Sequence, residues 1–103
     1  MELRGKQKRF LRSEAHHLNP IIQIGKGGLT ESVIDQIEET LERRELIKIS
    51  LLQNTDEVAD DVAEALTQAI NCDVVQIIGR VLVVFKPSSK EKFQKISIDV
   101  RKI

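Results

Sequence analysis

Only two residues, Gly79-Arg80, separate the strand-like runs 74–78 and 81–85. A connection this short joins antiparallel neighbours, and glycine in its first position is typical of a type II′ hairpin. The earlier strand-like runs, 21–24 and 46–52, are separated from each other and from 74–78 by long segments. Crossovers of that length allow strands to run parallel. The sequence therefore predicts one mixed four-stranded sheet.

Three segments between or before these strands show apolar residues at helical spacing: 4–18, 30–43 and 56–70. Asn19-Pro20 ends the first, because the residue before a proline is pushed out of helical geometry. Thr30 is a suitable N-cap for the second. The element order is therefore α-β-α-β-α-β-β. We expect an α+β fold in which helices pack on the mixed sheet, in either two or three layers.

The 103 residues predict a single domain, with residues 88–103 as a basic tail whose order the pattern does not fix. Within the tail Ile96, Ile98 and Val100 alternate, a weak indication of a strand. The one cysteine, Cys72, excludes an internal disulfide and suits a reducing compartment. Neither a signal peptide nor a membrane span is visible, so we expect a cytoplasmic protein. We also expect it to be a monomer.

The formal net charge of zero conceals three charge zones. Residues 1–28 hold six basic and two acidic side chains, for a net +4. Residues 29–73 hold three basic and twelve acidic side chains, for a net −9, and residues 74–103 hold seven basic and two acidic, for a net +5. If the fold joins the two ends, one face would attract a polyanion. The alternative is that these are ordinary solvated faces.

A glycine-rich loop, Gly25-Lys26-Gly27-Gly28, lies between a predicted strand and a predicted helix. Glycines expose their N–H groups, and a helix start adds unpaired donors, so the loop suits an anion such as phosphate. It fits neither the nucleotide-binding P-loop nor the dinucleotide fingerprint, since Gly27 follows Lys26 and Thr30 takes the place of the third glycine. What remains is G-x-x-G, which clamps a nucleic-acid backbone in KH domains. A tight strand-to-helix turn is the other interpretation.

Other candidate sites are weaker. Phe10 and Phe85 fall on apolar faces, so we expect core positions rather than base-stacking platforms. Adjacent helical residues such as His16 and His17 point about 100° apart and cannot share a metal ion. We expect His16 to pack at the helix end and His17 to be partly exposed near the loop. Serines lie in no nucleophile motif, so we expect no catalysis, no metal and no cofactor.

Three segments together carry a family resemblance: "KQKRFLRSEAHHLNPIIQIGKGGLT", "ERRELIKISL" and "VVQIIGRVLVVFKP". As an ordered set spanning about residues 4–87, they resemble the YhbY-like family, whose unit is the CRM domain (chloroplast RNA splicing and ribosome maturation). The chain departs from it in ending its last strand Phe85-Lys86, where relatives often have Tyr-Arg, and in a longer tail.

The resemblance implies a fold similar to the C-terminal domain of translation initiation factor three. It also implies RNA binding through the glycine loop, in precursors of the large ribosomal subunit. The candidate RNA-binding residues are Gly25, Lys26, Gly27, Gly28 and Thr30 at the loop, together with Arg4, Lys6, Lys8, Arg9, Arg12, His17, Arg80 and Lys86. Two alternatives stay open: a protein-interaction module that docks a ribosomal protein on the acidic zone, and a phospho-ligand enzyme, which lacks a base and a nucleophile.

Overall fold

The structure, a computed structural model, describes residues 2–103. Its elements follow the predicted order through the last strand and then add two short helical segments. They are α1 (Gly5–Ala15), β1 (Pro20–Ile24), α2 (Glu31–Arg44), β2 (Leu46–Leu51), α3 (Ala59–Ile70), β3 (Asp73–Ile78), β4 (Val81–Phe85), a 3₁₀ turn (Glu91–Phe93) and α4 (Ile96–Arg101). The predicted α+β class is confirmed.

The strands form one mixed sheet in the order β1-β2-β4-β3, with β1 parallel to β2 and with β4 antiparallel to both of its neighbours. Gly79 has a φ of 58° and Arg80 does not have a positive φ, as a type II′ turn requires. Because β1, β2 and β3 run the same way, their carboxyl ends meet at one end of the sheet. We call this end, formed by residues 24–28, 51–57 and 78–81, the loop edge.

The sheet is covered on both faces, so the fold has three layers. On one face, α2 and α3 bury an aliphatic core that includes Ile37, Leu41 and Leu66. On the other, α1 and α4 bury a smaller core around Leu11, Val83, Phe85 and Val100. The two terminal helices, α1 and α4, therefore lie together in one outer layer, and α2 and α3, from the acidic middle of the chain, form the other.

Thr30 caps α2 as predicted, because its side-chain oxygen accepts a hydrogen bond from the N–H of Val33 at 3.2 Å. The predicted start of α3 at residue 56 is wrong, since the helix begins at Ala59 after the extended N-cap residue Val58. Asp56 and Glu57 therefore precede the helix. Glu57 is held elsewhere, because its carboxylate accepts a hydrogen bond from Leu29.

The predicted strand at Ile96, Ile98 and Val100 is also wrong, since these residues lie in α4. Tertiary contacts decide the conformation here: the side-chain amide of Gln7 in α1 donates to the carbonyl of Val100 at 3.0 Å, and Val100 is fully buried. Glu45, a fully buried carboxylate, accepts hydrogen bonds from the N–H groups of Ser88 and Lys95 ahead of α4 and from that of Ser97 in its first turn. The alternation of apolar residues over 96–100 is too short to determine a strand. Packing against α1 and the hydrogen bonds to Glu45 hold this segment as a helix instead.

Candidate nucleic-acid interface

The glycine loop is a tight turn between β1 and α2. The N–H of Gly28 donates to the carbonyl of Gly25 at 3.0 Å, which leaves Lys26 and Gly27 at the exposed tip. Gly28 has a φ of 72°, a left-handed conformation that glycine adopts without strain. A Cβ on Gly28 would also lie 3.0 Å from the Glu57 carboxylate, whereas a Cβ on Gly27 would meet nothing within 4 Å.

Some of the amides predicted to be open are satisfied inside the protein. Besides Gly28, the N–H of Leu29 donates to Oε2 of Glu57 at 2.6 Å, and the N–H of Thr30 donates to the carbonyl of Gly28 at 3.1 Å. Within residues 2–103, the N–H groups of Lys26 and Gly27 have no acceptor, and neither have those of Glu31 and Ser32 in the first turn of α2. The open donors therefore lie at the tip of the loop and at the helix start.

These open donors form a small anion-binding arrangement. Two amides at the tip of the loop are flanked by the exposed ammonium-bearing side chain of Lys26, and the first turn of α2 adds the positive end of the helix dipole. Glu57 limits the arrangement on one side, since its carboxylate occupies the Leu29 amide and repels a second anion there. A phosphate group therefore fits at Lys26 and Gly27 rather than at Leu29.

Arg80 lies at the loop edge with the glycine loop. Its Nε donates to the carbonyl of Leu51 at 3.1 Å, and its Nη2 donates to the carbonyl of Leu52 at 2.6 Å. The side chain of Leu52 in turn packs 3.5 Å from the position that a Cβ on Gly25 would take. These contacts therefore connect three neighbouring segments: the hairpin turn, the segment after β2 and the glycine loop.

Two basic residues of α1 border the same side of the molecule. Arg9 and Arg12 line an open depression of about 460 Å³ between α1 and the end of β3, and His17 borders it as well. The far wall includes Ile78, which directly precedes the Gly79-Arg80 turn. Cations from α1 can therefore extend the positive surface from the hairpin turn along this depression.

The remaining predicted site residues lie elsewhere. Lys86 follows β4 at the opposite end from Arg80, and its Nζ lies 3.5 Å from Oε2 of Glu38. Arg4 is the N-cap residue of α1, and its guanidinium donates to the carbonyl of Ile103. The positive charge of Lys8 interacts with Asp73 at the start of β3. Burial raises the pKa of Asp73, and the charge of Lys8 offsets part of this rise. Lys6 is exposed on the first turns of α1.

The structure corrects one expectation about the histidines and confirms one about the aromatics. His16 is exposed rather than packed at the helix end, and its ring meets that of His17 edge-on at 5.7 Å. Phe85 is fully buried, and Phe10 packs half-buried against the core beneath α1. Burial raises the pKa of Cys72 to about 11, so this residue stays a thiol.

Within residues 2–103, no three His, Cys, Asp or Glu side chains are grouped so that they could hold a metal ion. Over the same residues, no helix has both the length and the apolar character needed to cross a membrane.

Sequence reasoning missed the role of Glu57. The predicted helix 56–70 includes this residue, whereas in the structure it precedes α3 and its carboxylate accepts a hydrogen bond from the N–H of Leu29, the residue that follows the glycine loop. The sequence contains only a weak indication of this contact: Glu57 is an acidic residue shortly before a helix, in the segment that follows β2. Because β2 runs parallel to β1, the segment after β2 lies at the same end of the sheet as the glycine loop.

Comparison with known proteins places this geometry in a family. The sequence profile of the CRS1 / YhbY (CRM) domain matches residues 3–86. The chain is 57% identical over 90 residues to the "Probable RNA-binding protein YqeI" of Bacillus subtilis, covering 87% of this chain and 94% of that protein. It is 40% identical over 89 residues to an "RNA-binding protein" of Haemophilus influenzae, covering 86% and 90%.

A solved structure agrees with these sequence matches. The solution structure of the protein SAV1595 from Staphylococcus aureus superimposes with a TM-score of 0.73 at 48% sequence identity, covering 91% of this chain and 98% of that one. Both the sequence and the fold therefore lead to the same assignment: the chain belongs to the CRS1 / YhbY (CRM) domain family.

Proposed function

We propose that this protein binds RNA and holds the sugar–phosphate backbone at the glycine loop. The observation that carries the proposal is the pair of unpartnered amides at Lys26 and Gly27, next to an exposed lysine and the start of α2. Oriented N–H donors and a cation are what a phosphate oxygen requires. The printed names of the relatives, which describe RNA-binding proteins, support the same class of ligand.

The positive surface extends this grip beyond one phosphate. Arg80 stands at the loop edge, and Arg9 and Arg12 line the depression beside it. Because the exposed rings needed for aromatic stacking are few, phosphate and 2′-hydroxyl contacts supply most of the affinity. Lys86, Arg4 and Lys8 lie away from this surface, so they contribute through the overall field rather than through direct contacts.

The resemblance to the CRM domain family supports a more specific proposal for the biological role. We propose that the protein acts in assembly of the large ribosomal subunit in the cytoplasm, as a monomer on precursor ribosomal RNA and without catalysing a reaction. No nucleophile–base pair was found in the sequence, and the pKa of the one cysteine is raised, which disfavours a thiolate. Residues 1–103 act as one CRM domain, with the tail from residue 88 folded onto α1 and α2.

Salt dependence provides the first test. With roughly five to eight phosphate contacts, the logarithm of the affinity for ribosomal RNA should fall with the logarithm of the salt concentration, with a slope of about −0.7 to −0.9 per contact. Fluorescence anisotropy at several KCl concentrations measures the slope. An affinity that does not change with salt would contradict phosphate binding.

A second candidate function has its own observation. The outer face of α2 and α3 carries exposed carboxylates, among them Asp35, Asp61 and Glu64, in the layer opposite α1. Such a face could dock a basic ribosomal protein. If it does, replacing Asp61 and Glu64 by lysine should weaken association with ribosomal particles at least severalfold and leave affinity for naked RNA no weaker than before. Sedimentation with particles, set beside anisotropy with free RNA, separates the two functions.

A further inference from the structure

A cleft of about 300 Å³ opens between the hairpin turn and the start of α3. Its apolar walls include side chains that are open to solvent: Val58 is 56% exposed and Ile77 is 38% exposed, while Leu51 is buried beneath them. The rim is polar. It is formed by Arg80 on one side and by Glu57 and Asp60 on the other. Apolar walls with a few fixed polar groups are the usual features of a small-ligand site.

Arg80 presents a fixed flat surface at this cleft. Two hydrogen bonds, from Nε to the carbonyl of Leu51 and from Nη2 to the carbonyl of Leu52, hold the guanidinium in one orientation. Three of its five N–H donors remain unused. No carboxylate of residues 2–103 forms an ion pair with it. A planar cation that is already oriented loses little entropy when it stacks on a ligand ring.

The cleft is continuous with the glycine loop on two sides. Leu52, whose carbonyl holds Arg80, packs against Gly25, and Glu57, which lines the cleft, accepts the hydrogen bond from Leu29. An RNA strand held by Lys26 and Gly27 therefore passes the mouth of the cleft. Its phosphates are kept out of the cleft by the carboxylates of Glu57 and Asp60, so the part of a nucleotide that fits is the base.

We infer that this cleft takes one unpaired base of the RNA, stacked on the guanidinium of Arg80 and against the apolar walls. The carboxylates at the rim accept hydrogen bonds from N–H groups of the base. This rests on the proposed function, since the loop must hold the backbone for the base to be presented. The stacked base adds a base contact to a surface that has few exposed aromatic rings. Because the base is unpaired, part of the bound RNA is single-stranded.

The test compares two RNA oligomers of equal charge, (rA)12 and a twelve-residue ribose–phosphate chain without bases, by fluorescence anisotropy at one salt concentration. The protein should bind (rA)12 about tenfold more tightly, the effect of one stacked base. Equal binding of both would overturn the inference and leave backbone binding in place. Binding of neither would overturn the proposed function, and the inference with it. These readings use the unaltered protein.

Arg80→Lys then tests the platform itself. Lysine keeps the charge but loses the flat surface, so the ratio of the two affinities, (rA)12 over the chain without bases, should fall to about one. A preference that persists in the variant would show that Arg80 is not the stacking group. Arg43→Lys is the matched control, because Arg43 is exposed near the end of α2, away from the loop edge. Thermal midpoints of both variants establish that the hairpin turn is intact.

Discussion

Replacing Gly27 by aspartate should lower RNA affinity by about 10- to 100-fold and leave the thermal midpoint of unfolding unchanged. The new carboxylate would stand at the two open amides of Lys26 and Gly27 and would repel a phosphate there. A loss of this size is about 1.4 to 2.7 kcal/mol, which corresponds to one charge-assisted hydrogen bond, worth about 1.5 to 3 kcal/mol. Anisotropy with ribosomal RNA measures the affinity, and differential scanning calorimetry measures the midpoint.

Gly27 is a more informative position for this substitution than Gly28. A change at Gly28 would affect the conformation of the loop as well as RNA binding. A side chain on Gly28 would be strained by the φ of 72° and would crowd Glu57 at 3.0 Å, so Gly28→Asp would disturb the loop itself. A Cβ on Gly27 meets nothing within 4 Å, and its φ is not positive. Gly28→Asp, the more obvious choice from the sequence, therefore cannot separate binding from folding.

Two controls complete this experiment. Gly27→Ala adds a methyl group without charge and should bind RNA nearly as well as the original protein. Gln68→Glu adds one negative charge at an exposed position late in α3, away from the loop edge, and should also bind nearly as well. If Gly27→Asp binds RNA like these two controls, the glycine loop does not contact the backbone.

Local patterns in the sequence were sufficient for the elements and for the turn. The two-residue spacing around Gly79-Arg80 predicted the antiparallel hairpin, and Thr30 predicted the start of α2, because both depend on neighbouring residues only. The start of α3 was predicted three residues too early, since Glu57 looks like a first-turn acid and only the fold shows that it contacts Leu29. Contacts between residues 28 positions apart leave no periodicity in the sequence.

The candidate site was predicted in part for a similar reason. Arg80 and Lys86 were both predicted as RNA-binding residues, but six residues of extended chain separate them by roughly 20 Å. Only Arg80 lies at the loop edge. Because β4 is antiparallel to both of its neighbours, it begins at the loop edge and ends at the opposite end of the sheet. The basic residues of α1 were predicted as one set, yet only Arg9 and Arg12 line the depression next to β3.

Replacing Glu45 should strongly lower the stability of the fold. It is fully buried, has a φ of 65° as the C-cap of α2, and accepts hydrogen bonds from the N–H groups of Ser88, Lys95 and Ser97 at 2.8 to 3.1 Å. These bonds attach the chain beyond β4 to the end of α2. An isolated acid at a helix C-terminus, directly before a buried strand, was a signal for this anchor that the sequence analysis did not use.

Glu45→Gln should lower the free energy of unfolding by about 2 to 5 kcal/mol, because an amide cannot accept all three bonds and leaves buried donors unpaired. Urea denaturation measures the loss, and hydrogen exchange should show that the amides of Ser88, Lys95 and Ser97 lose protection first. The matched control is Glu39→Gln, since Glu39 is exposed on α2. Similar stability losses in the two variants would contradict an anchoring role.

The same anchor predicts how stability depends on pH. Burial alone would raise the pKa of Glu45, but the Ser97 side chain and the three N–H groups outweigh it and hold that pKa below the ordinary value of 4.5. Because the folded pKa is the lower one, the stabilisation is present above about pH 4.5 and is lost as the pH falls through the folded pKa. Urea midpoints measured between pH 7 and pH 3 should therefore fall more steeply for the original protein than for Glu45→Gln, and parallel curves would show that Glu45 is not the group that titrates.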